Sequence, residues 1–255
     1  GDPSARPTAG KGFAKTSGFL PAASRPLTCA AQSHGMTSLP IGRRAGDDGI
    51  VIAGGGLAGQ RCAEALRRAG HDGPIRMVCA EAELPYDRPP LSKAVLVEAA
   101  AENDLAYRPA AWYDKHEVEL LLGVGARRLR LAENRLDMTD GASLLYRDLL
   151  IATGGRPRTL PLLDGYDNVT LLRDRGEARR LRGVLAAGGR LAVVGAGFIG
   201  LEVAATARRL GVEVVVVEAG SRPLENVLGP ELGGWFHRLH AAEGEVQPAR
   251  EHDAG

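Results

Sequence analysis

The chain has 255 residues, of which 44% are hydrophobic and 25% are charged, and its 32 Lys and Arg nearly balance its 31 Asp and Glu. This balance excludes a net field that would draw the whole molecule to nucleic acid or to an anionic membrane, so we expect neither as a partner. The length allows one large core or two domains of ordinary size. Three cysteines without a CxxC pair are too few for a disulfide scaffold. They favour a reducing compartment and predict a cytoplasmic protein.

The first 48 residues are predicted to be a disordered leader, tag or linker. They are rich in Gly, Ala, Ser, Thr and Pro and lack the sustained periods of strands and helices, which is typical of disordered segments. The excess of cations over acids in residues 1–35 superficially resembles a transit peptide. Because the chain starts at Gly1 and a more ordinary leader opens at Met36, a tag, linker or upstream read-through is the favoured interpretation.

A glycine-rich turn between a strand and a helix follows this leader. Ile50–Ala53 is a short apolar run typical of a strand buried on both faces of a parallel sheet. GGGLAG follows at 54–59, and a helical stretch then runs to Ala69, where a glycine is placed to end it. In this GxGxxG pattern the first glycine allows a tight turn, the second lets a pyrophosphate approach the backbone, and the third lets helix and strand pack closely. A second strand, Ile75–Cys79, leads to Glu81, whose carboxylate is spaced to accept hydrogen bonds from a ribose.

The same construction returns in the second half of the chain. Leu191–Val194 is the predicted strand, GAGFIG at 195–200 the turn and Leu201–Leu210 the helix, and a second strand, Val212–Val217, leads to Glu218. Two such motifs in full context predict two dinucleotides. A carboxylate at this last position would accept a hydrogen bond from a ribose 2′-hydroxyl and repel a 2′-phosphate, which favours NADH over NADPH.

The irregular stretch LPYDRPPLSK, at 84–93, raises a separate expectation. Pro89-Pro90 should hold the chain extended until Ser92 caps a helix over Lys93–Ala101. A cation in the first turn of a helix opposes the helix dipole at a cost of about 0.3 to 1 kcal/mol. We therefore expect the ammonium of Lys93 to have a compensating partner.

The rest of the chain is predicted to form short helices and strands. A helix is predicted over Pro109–His116, followed by short strands with a turn at Asp140-Gly141 and a buried strand over Leu149–Ala152. The apolar stretch Leu191–Ala205 contains Glu202 and is shorter than the roughly 20 residues that a membrane span needs. The histidines show no metal-ligand spacing, so no metal site is predicted.

Four segments carry a resemblance to a known family: GGGLAG at 54–59, LPYDRPPLSK at 84–93, LLIATGGRPR at 149–158 and VVGAGFIGLEVA at 193–204. Together they resemble the FAD-dependent pyridine nucleotide-disulfide oxidoreductases, and within them the NADH:ferredoxin reductase branch that includes putidaredoxin and rhodocoxin reductases. LPYDRPPLSK lies where the disulfide-reducing branches carry a redox-active cysteine pair. The resemblance implies an α/β fold with two Rossmann-like dinucleotide-binding units in tandem, each a doubly wound parallel sheet in a three-layer arrangement.

The resemblance also implies a reaction. FAD would bind the first unit and NADH the second, a hydride would pass from NADH to FAD, and single electrons would leave to a ferredoxin-type iron–sulfur protein that serves an oxygenase system. The lack of a cysteine pair agrees with this, because a disulfide substrate then has no dithiol route to the flavin. Two alternatives stay open: a catalytically silent nucleotide-binding fragment, and an NADH-dependent flavin subunit of a nitrite-reducing system.

The cofactor-binding residues are predicted from the two turns and from the positions that match the family. Those near FAD are Gly54, Gly56, Leu57, Ala58, Gly59, Glu81, Arg88, Lys93, Ala126, Ala152, Thr153, Gly154 and Arg158. Those near the nicotinamide cofactor are Gly195, Gly197, Phe198, Ile199, Gly200, Glu202 and Glu218. Lys93 and Glu202 are expected to pair beside the flavin and are the predicted catalytic residues. Arg156 is interpreted as an ordinary loop cation.

The domain organisation follows from the same reasoning. We expect a disordered leader over 1–48, an FAD-binding domain over 49–165 and an NAD-binding domain over 166–255. Members of the resembled family return to the FAD domain through a GDxA-like motif and then add a C-terminal domain, and this sequence contains no such return. Both units are therefore expected to be incomplete, in a chain truncated on its C-terminal side.

Overall fold

The structure, a computed structural model, describes residues 49–244. The predicted leader and the last residues of the chain lie outside the described part. Within it the strands are β1 (Ile50–Ala53), β2 (Ile75–Cys79), β3 (Val118–Leu122), β4 (Ala126–Arg130), β5 (Arg135–Met138), β6 (Ser143–Leu145), β7 (Asp148–Ile151), β8 (Arg190–Val194) and β9 (Glu213–Val217). The helices are α1 (Leu57–Arg68), α2 (Ala94–Val97), α3 (Ala110–Lys115), α4 (Arg175–Ala187), α5 (Phe198–Arg209) and α6 (Glu225–Ala242).

The first unit is organised around a parallel sheet with the strand order β3-β2-β1-β7. All residues of β1 are buried, as its apolar run predicts. Ile50 and Ile52 belong to one hydrophobic core together with Tyr113 of α3, while Val51 and Ala53 belong to another together with side chains of β5. Alternate residues of a strand point to opposite faces, so helices cover one face of this sheet and the antiparallel sheet β4-β5-β6 covers the other. The result is the predicted three-layer α/β arrangement, with a sheet as its third layer.

The second unit is built on the parallel pair β8-β9, with α5 as the crossover helix between the strands. Val214 and Val216 of β9 lie in a core with side chains of α4 and α5. Val194 and Val217, at the ends of the two strands, are 52% and 45% exposed. Among the described residues this sheet contains two strands, fewer than a full dinucleotide-binding fold.

The proline-rich segment, LPYDRPPLSK at 84–93, and the residues after it differ from their prediction. Pro89–Ser92 forms a 3₁₀ turn where an extended stretch is expected, α2 is limited to Ala94–Val97, and a second 3₁₀ turn covers Ala99–Glu102. The expectation of an extended stretch is wrong because the φ of proline equally suits the first positions of a helical turn. The expectation of one long helix capped by Ser92 is also wrong. Lys93 is not helical, with φ −124° and ψ −103°, and α2 has no side-chain cap among the described residues.

The proline-rich segment and α2 pack against the second unit. Leu91, Val95 and Leu96 lie in one core with side chains of α4, α5 and β9. Arg182 of α4 also donates a hydrogen bond of 3.1 Å to the carbonyl oxygen of Val95. A segment that begins in the first unit therefore contributes to the core of the second.

A buried carboxylate strengthens this packing. Glu102, at the end of the second 3₁₀ turn, accepts a 2.5 Å hydrogen bond from Arg182 on one oxygen and a 2.5 Å hydrogen bond from Arg179 on the other. Arg175 lies 3.6 Å from the second oxygen. All three arginines belong to α4, so a single carboxylate ties this helix to the second 3₁₀ turn.

A surface linker joins the two units. Residues 155–160, between β7 and α4, are exposed and have no regular structure. No helix within residues 49–244 is both long and apolar enough to cross a membrane.

Candidate functional site

The turn between β1 and α1 is shaped by its three glycines. Gly54 has φ of 128°, and a Cβ there would lie 2.1 Å from the carbonyl oxygen of Ala152. A Cβ on Gly59 would lie 2.0 Å from the carbonyl oxygen of Gly54. At Gly56, by contrast, no described atom lies within 4 Å of the Cβ position, and α1 begins there without a side-chain cap among the described residues. An open backbone at an uncapped helix N-terminus fits a phosphate group.

A cleft of about 630 Å³ opens at the C-terminal ends of β1, β2 and β7, within the usual size range of ligand pockets. Most of the residues predicted for FAD line it, namely Gly54, Gly56, Glu81, Arg88, Ala126, Ala152, Thr153 and Gly154. Leu57, Ala58 and Gly59 form the start of α1 next to this cleft. Lys93 lines a second cavity. Arg158 is exposed and does not line the cleft.

Two arginines to which sequence reasoning assigned no cofactor role line the same cleft, Arg156 and Arg173. The second precedes α4, which begins with a capping box formed by Asp174 and Glu177. A D-x-x-E pattern is a helix-start signal that can be read from sequence. It would have placed Arg173 in the loop that enters α4, close to a helix N-terminus.

Glu81 has protein partners on both carboxylate oxygens. One oxygen accepts a 2.5 Å hydrogen bond from Arg88, and the other accepts a 2.5 Å hydrogen bond from the hydroxyl of Tyr86. Burial and then this hydrogen bond raise the pKa of Tyr86, so the phenol stays protonated and acts as a donor. Arg88 also donates a 2.6 Å hydrogen bond to the carbonyl oxygen of Arg173. A ribose hydroxyl at Glu81 would therefore join an existing network.

The turn between β8 and α5 repeats the geometry of the first turn. Gly195 has φ of 102°, and a Cβ on Gly200 would lie 2.1 Å from the carbonyl oxygen of Gly195. No described atom lies within 4 Å of the Cβ position of Gly197, and α5 begins there without a side-chain cap in the described range. This turn is accordingly also open to a phosphate.

Glu218 lies directly after β9 and contacts this second turn. Its carboxylate accepts a 2.8 Å hydrogen bond from the amide of Gly220 and a 2.6 Å hydrogen bond from the amide of Ala196. These backbone hydrogen bonds lower the pKa of Glu218. The group is thus an ionised carboxylate next to the turn, where it would disfavour a 2′-phosphate on the ribose of a bound dinucleotide.

A second cavity of about 340 Å³ lies between the proline-rich segment and α5. Phe198 and Ile199, at the start of α5, are half exposed and line it. Lys93 and Glu202 also line it, with 2.7 Å between the ammonium nitrogen and a carboxylate oxygen. Burial alone would raise the pKa of Glu202, but hydrogen bonds from Lys93 and Ser92 outweigh it, so the pKa is lowered. The expected pairing of Lys93 with Glu202 is confirmed.

The two cavities share part of their lining. Arg88 and Arg173 line both of them, and a hydrogen bond joins the two residues. The large cleft therefore meets the smaller, mostly apolar cavity at this arginine pair.

The cysteines in the described range do not form a redox pair. Cys62 and Cys79 are both free thiols. Burial and then the charge of Glu81 raise the pKa of Cys79 to about 12, so its thiol stays protonated at neutral pH. The same residues 49–244 contain no group of three or more His, Cys, Asp and Glu that could hold a metal ion.

Comparisons with known families and sequences give a consistent result. The family model described as pyridine nucleotide-disulphide oxidoreductase matches residues 48–247. The ferredoxin–NAD(+) reductase component of the anthranilate 1,2-dioxygenase system of Burkholderia cepacia is 44% identical, over 77% of this chain and 49% of its own length. Rhodocoxin reductase of Rhodococcus erythropolis is 42% identical, over 76% of this chain and 46% of its own length. The chain thus spans about half the length of the curated relatives it matches.

Solved structures agree with the sequence comparisons. The ferredoxin reductase for the CYP199A2 system of Rhodopseudomonas palustris has a TM-score of 0.75 and 37% identity, over 78% of this chain and 50% of that one. The covalent putidaredoxin reductase–putidaredoxin complex also has a TM-score of 0.75 and 37% identity, over 79% of this chain and 49% of that one.

Proposed function

The chain belongs to the pyridine nucleotide-disulphide oxidoreductase family, and we propose that it carries the FAD-binding and NADH-binding units of an NADH-dependent ferredoxin reductase. Residues 49–165 are the FAD-binding domain of this proposal and residues 166–255 the NAD-binding domain. The bound flavin would supply the redox chemistry, since it accepts a hydride from NADH and passes electrons singly to an iron–sulfur protein. The chain itself has to bind and orient the two dinucleotides.

One observation carries the proposal: two open glycine turns, one in each unit, lie on either side of two cavities that meet at Arg88 and Arg173. The large cleft at the first turn suits an extended dinucleotide, because ligands of open α/β sheets bind at the carboxyl ends of the strands. The smaller cavity next to α5 has an apolar wall suited to a flat ring.

Lys93 and Glu202 have a positioning and electrostatic role in this proposal. The ammonium group of Lys93 is held at the cavity by the carboxylate of Glu202, so a cation is available where negative charge increases on reduction. Its pairing with a carboxylate keeps the local net charge near zero before the reaction.

The proposed electron acceptor is a ferredoxin-type iron–sulfur protein, which in turn would supply an oxygenase. The names of the relatives support this acceptor. The absence of a dithiol among residues 49–244 supports it independently, because a disulfide substrate would need such a relay. Free thiols also support a reducing, cytoplasmic location.

The test is reconstitution of the purified chain with FAD, followed by anaerobic addition of NADH or NADPH. We expect a yellow protein whose visible flavin absorbance bleaches with NADH faster than with NADPH. A chain that binds NADH but stays colourless after reconstitution would refute the reductase proposal and favour a nucleotide-binding fragment. Reduction of a panel of ferredoxins, with a nitrite-reducing hemoprotein as the competing acceptor, would then identify the electron acceptor.

A further inference from the structure

Ser92 lies beside Lys93 at the end of the 3₁₀ turn, and the proposed function gives its side chain no task. The residue is 4% exposed. Its hydroxyl is 2.5 Å from Oε2 of Glu202, the same oxygen that lies 2.7 Å from the ammonium nitrogen of Lys93. The alternative acceptor, the carbonyl oxygen of Pro89, is 3.4 Å away. A carboxylate oxygen is a stronger acceptor than a carbonyl oxygen, and here it is also the nearer of the two. The hydroxyl of Ser92 therefore donates its proton to Glu202.

A second hydrogen bond holds Ser92 against the same helix. Thr206 donates its hydroxyl to the carbonyl oxygen of Ser92 at 3.0 Å, and Thr206 is 6% exposed. Glu202 and Thr206 are four residues apart on α5 and therefore lie on one face of the helix. The side chain and the carbonyl of Ser92 thus bond to two successive turns of α5, which fixes the residue relative to this helix of the second unit.

The ion pair itself is more exposed, and apart from Ser92 its further hydrogen bond runs from the ammonium group of Lys93 to the carbonyl oxygen of Pro89, at 3.2 Å. The side chains of Lys93 and Glu202 are 50% and 34% exposed, and an exposed pair of long side chains is weakly held because water competes with it and both chains lose entropy. A buried hydroxyl on one carboxylate oxygen removes much of that freedom. Ser92 is the buried member of this three-residue group.

We propose that Ser92 is a positioning residue: its hydroxyl fixes Oε2 of Glu202, and Glu202 in turn holds the ammonium group of Lys93 at the wall of the second cavity. The inference rests on the proposed function, in which the second cavity receives a flat ring of a bound cofactor. The contacts themselves belong to the chain without any cofactor, so they can be tested separately.

The first test follows the ion pair in the cofactor-free chain. The sequence contains four lysines, so reductive ¹³C-methylation gives few NMR resonances, and Lys93→Arg assigns the relevant one. The acid titration of Glu202 is read through this resonance. In Ser92→Ala its midpoint is expected at higher pH, because the ionised carboxylate loses a donor. Ser92→Thr keeps the hydroxyl and is expected to restore the parent midpoint.

Controls keep this test decisive. Ser143→Ala removes an exposed hydroxyl on β6 and is expected to leave the titration unchanged. If circular dichroism shows that Ser92→Ala does not fold, Ser92→Cys takes its place, since a thiol has similar size and is a weaker donor. A midpoint that stays at the parent value in the folded variant overturns the proposal.

The second test uses the FAD-loaded chain and anaerobic stopped-flow with NADH. Ser92→Ala is expected to slow the limiting rate of flavin reduction about 3- to 10-fold, as loss of one hydrogen bond allows, with a smaller change in the half-saturating NADH concentration. An unchanged limiting rate beside a shifted titration refutes the positioning role. A shifted titration in a chain whose parent form shows no NADH-driven reduction supports the Ser92–Glu202 contact and refutes the proposed function instead.

Discussion

Replacing Glu102 by Gln removes the charge that holds α4 against the second 3₁₀ turn while it keeps the side-chain shape. The carboxylate is 8% exposed and lies 2.5 Å from both Arg179 and Arg182. Breaking a fully buried ion pair costs about 3–5 kcal/mol. Because Arg179 is 45% exposed and water can solvate it, we expect a smaller loss of about 2–3 kcal/mol. At about 2–4 °C per kcal/mol for a protein of this size, the melting temperature should fall by about 4–12 °C.

The pH dependence of this effect has a defined sign. Burial alone would raise the pKa of Glu102, but hydrogen bonds from Arg182 and Arg179 outweigh it, so the folded-state pKa is lowered. Such a carboxyl stabilises the fold fully above its unfolded pKa, about 4.3 for Glu, and this contribution is lost as the pH falls through the folded-state value. The melting temperatures of the parent and Glu102→Gln should therefore differ most at neutral pH and converge below about pH 4.

Thermal denaturation followed by circular dichroism measures both effects. Glu133→Gln is the matched control, since this carboxylate pairs with Arg135 at 2.8 Å but is 47% exposed. It is expected to change stability by less than about 0.5 kcal/mol. The reasoning would be refuted if Glu102→Gln and Glu133→Gln had the same melting temperature at neutral pH. It would also be refuted if the difference in melting temperature between the parent and Glu102→Gln persisted in acid.

Four further predictions concern the cofactor sites. Gly59→Ala is expected to lose about 1–3 kcal/mol of stability, because its methyl group would lie 2.0 Å from a carbonyl oxygen. Gly56→Ala should lose less than about 1 kcal/mol of stability and still fail to retain FAD on gel filtration. Retention of FAD as in the parent would contradict a phosphate site at this turn. Lys93→Ala is expected to slow NADH-driven flavin reduction about 10-fold or more in stopped-flow measurements. The control Lys115→Ala is expected to leave this rate unchanged, and equal rates in the two variants would show that Lys93 has no role in the reaction. Glu218→Ala is expected to raise affinity for NADPH relative to NADH about 10-fold in fluorescence titrations, and an unchanged ratio would argue against a ribose at this carboxylate.

Much of the fold could be predicted from sequence because it depends on local patterns. The strand at Ile50–Ala53 has the predicted bounds, since burial on both faces requires an uninterrupted apolar run. The helix that follows ends beside Gly70, whose positive φ of 83° explains the choice of residue. The resemblance of the four motifs to the pyridine nucleotide-disulphide oxidoreductases is confirmed by the match over residues 48–247.

Contacts between distant parts of the chain could not be predicted in the same way. Ser92 has the residue type and the position of a helix cap, but its hydroxyl instead donates a hydrogen bond to Glu202, 110 residues further along the chain. Arg158 and Arg156 lie two positions apart in one loop, and only the path of the folded chain places Arg156 rather than Arg158 at the cleft. Side-chain roles of this kind depend on tertiary packing, which a local pattern does not encode.

The surface linker at 155–160 contributes little to the association of the two units. It is exposed and irregular, whereas Leu91, Val95 and Leu96 of the first half are embedded in the core of the second, and Glu102 adds its arginine contacts. A protease that cut the linker would sever the backbone and leave both pieces associated through this buried surface. The two halves could accordingly be produced as separate polypeptides that reassemble on mixing, held together by the noncovalent contacts of residues 91–102.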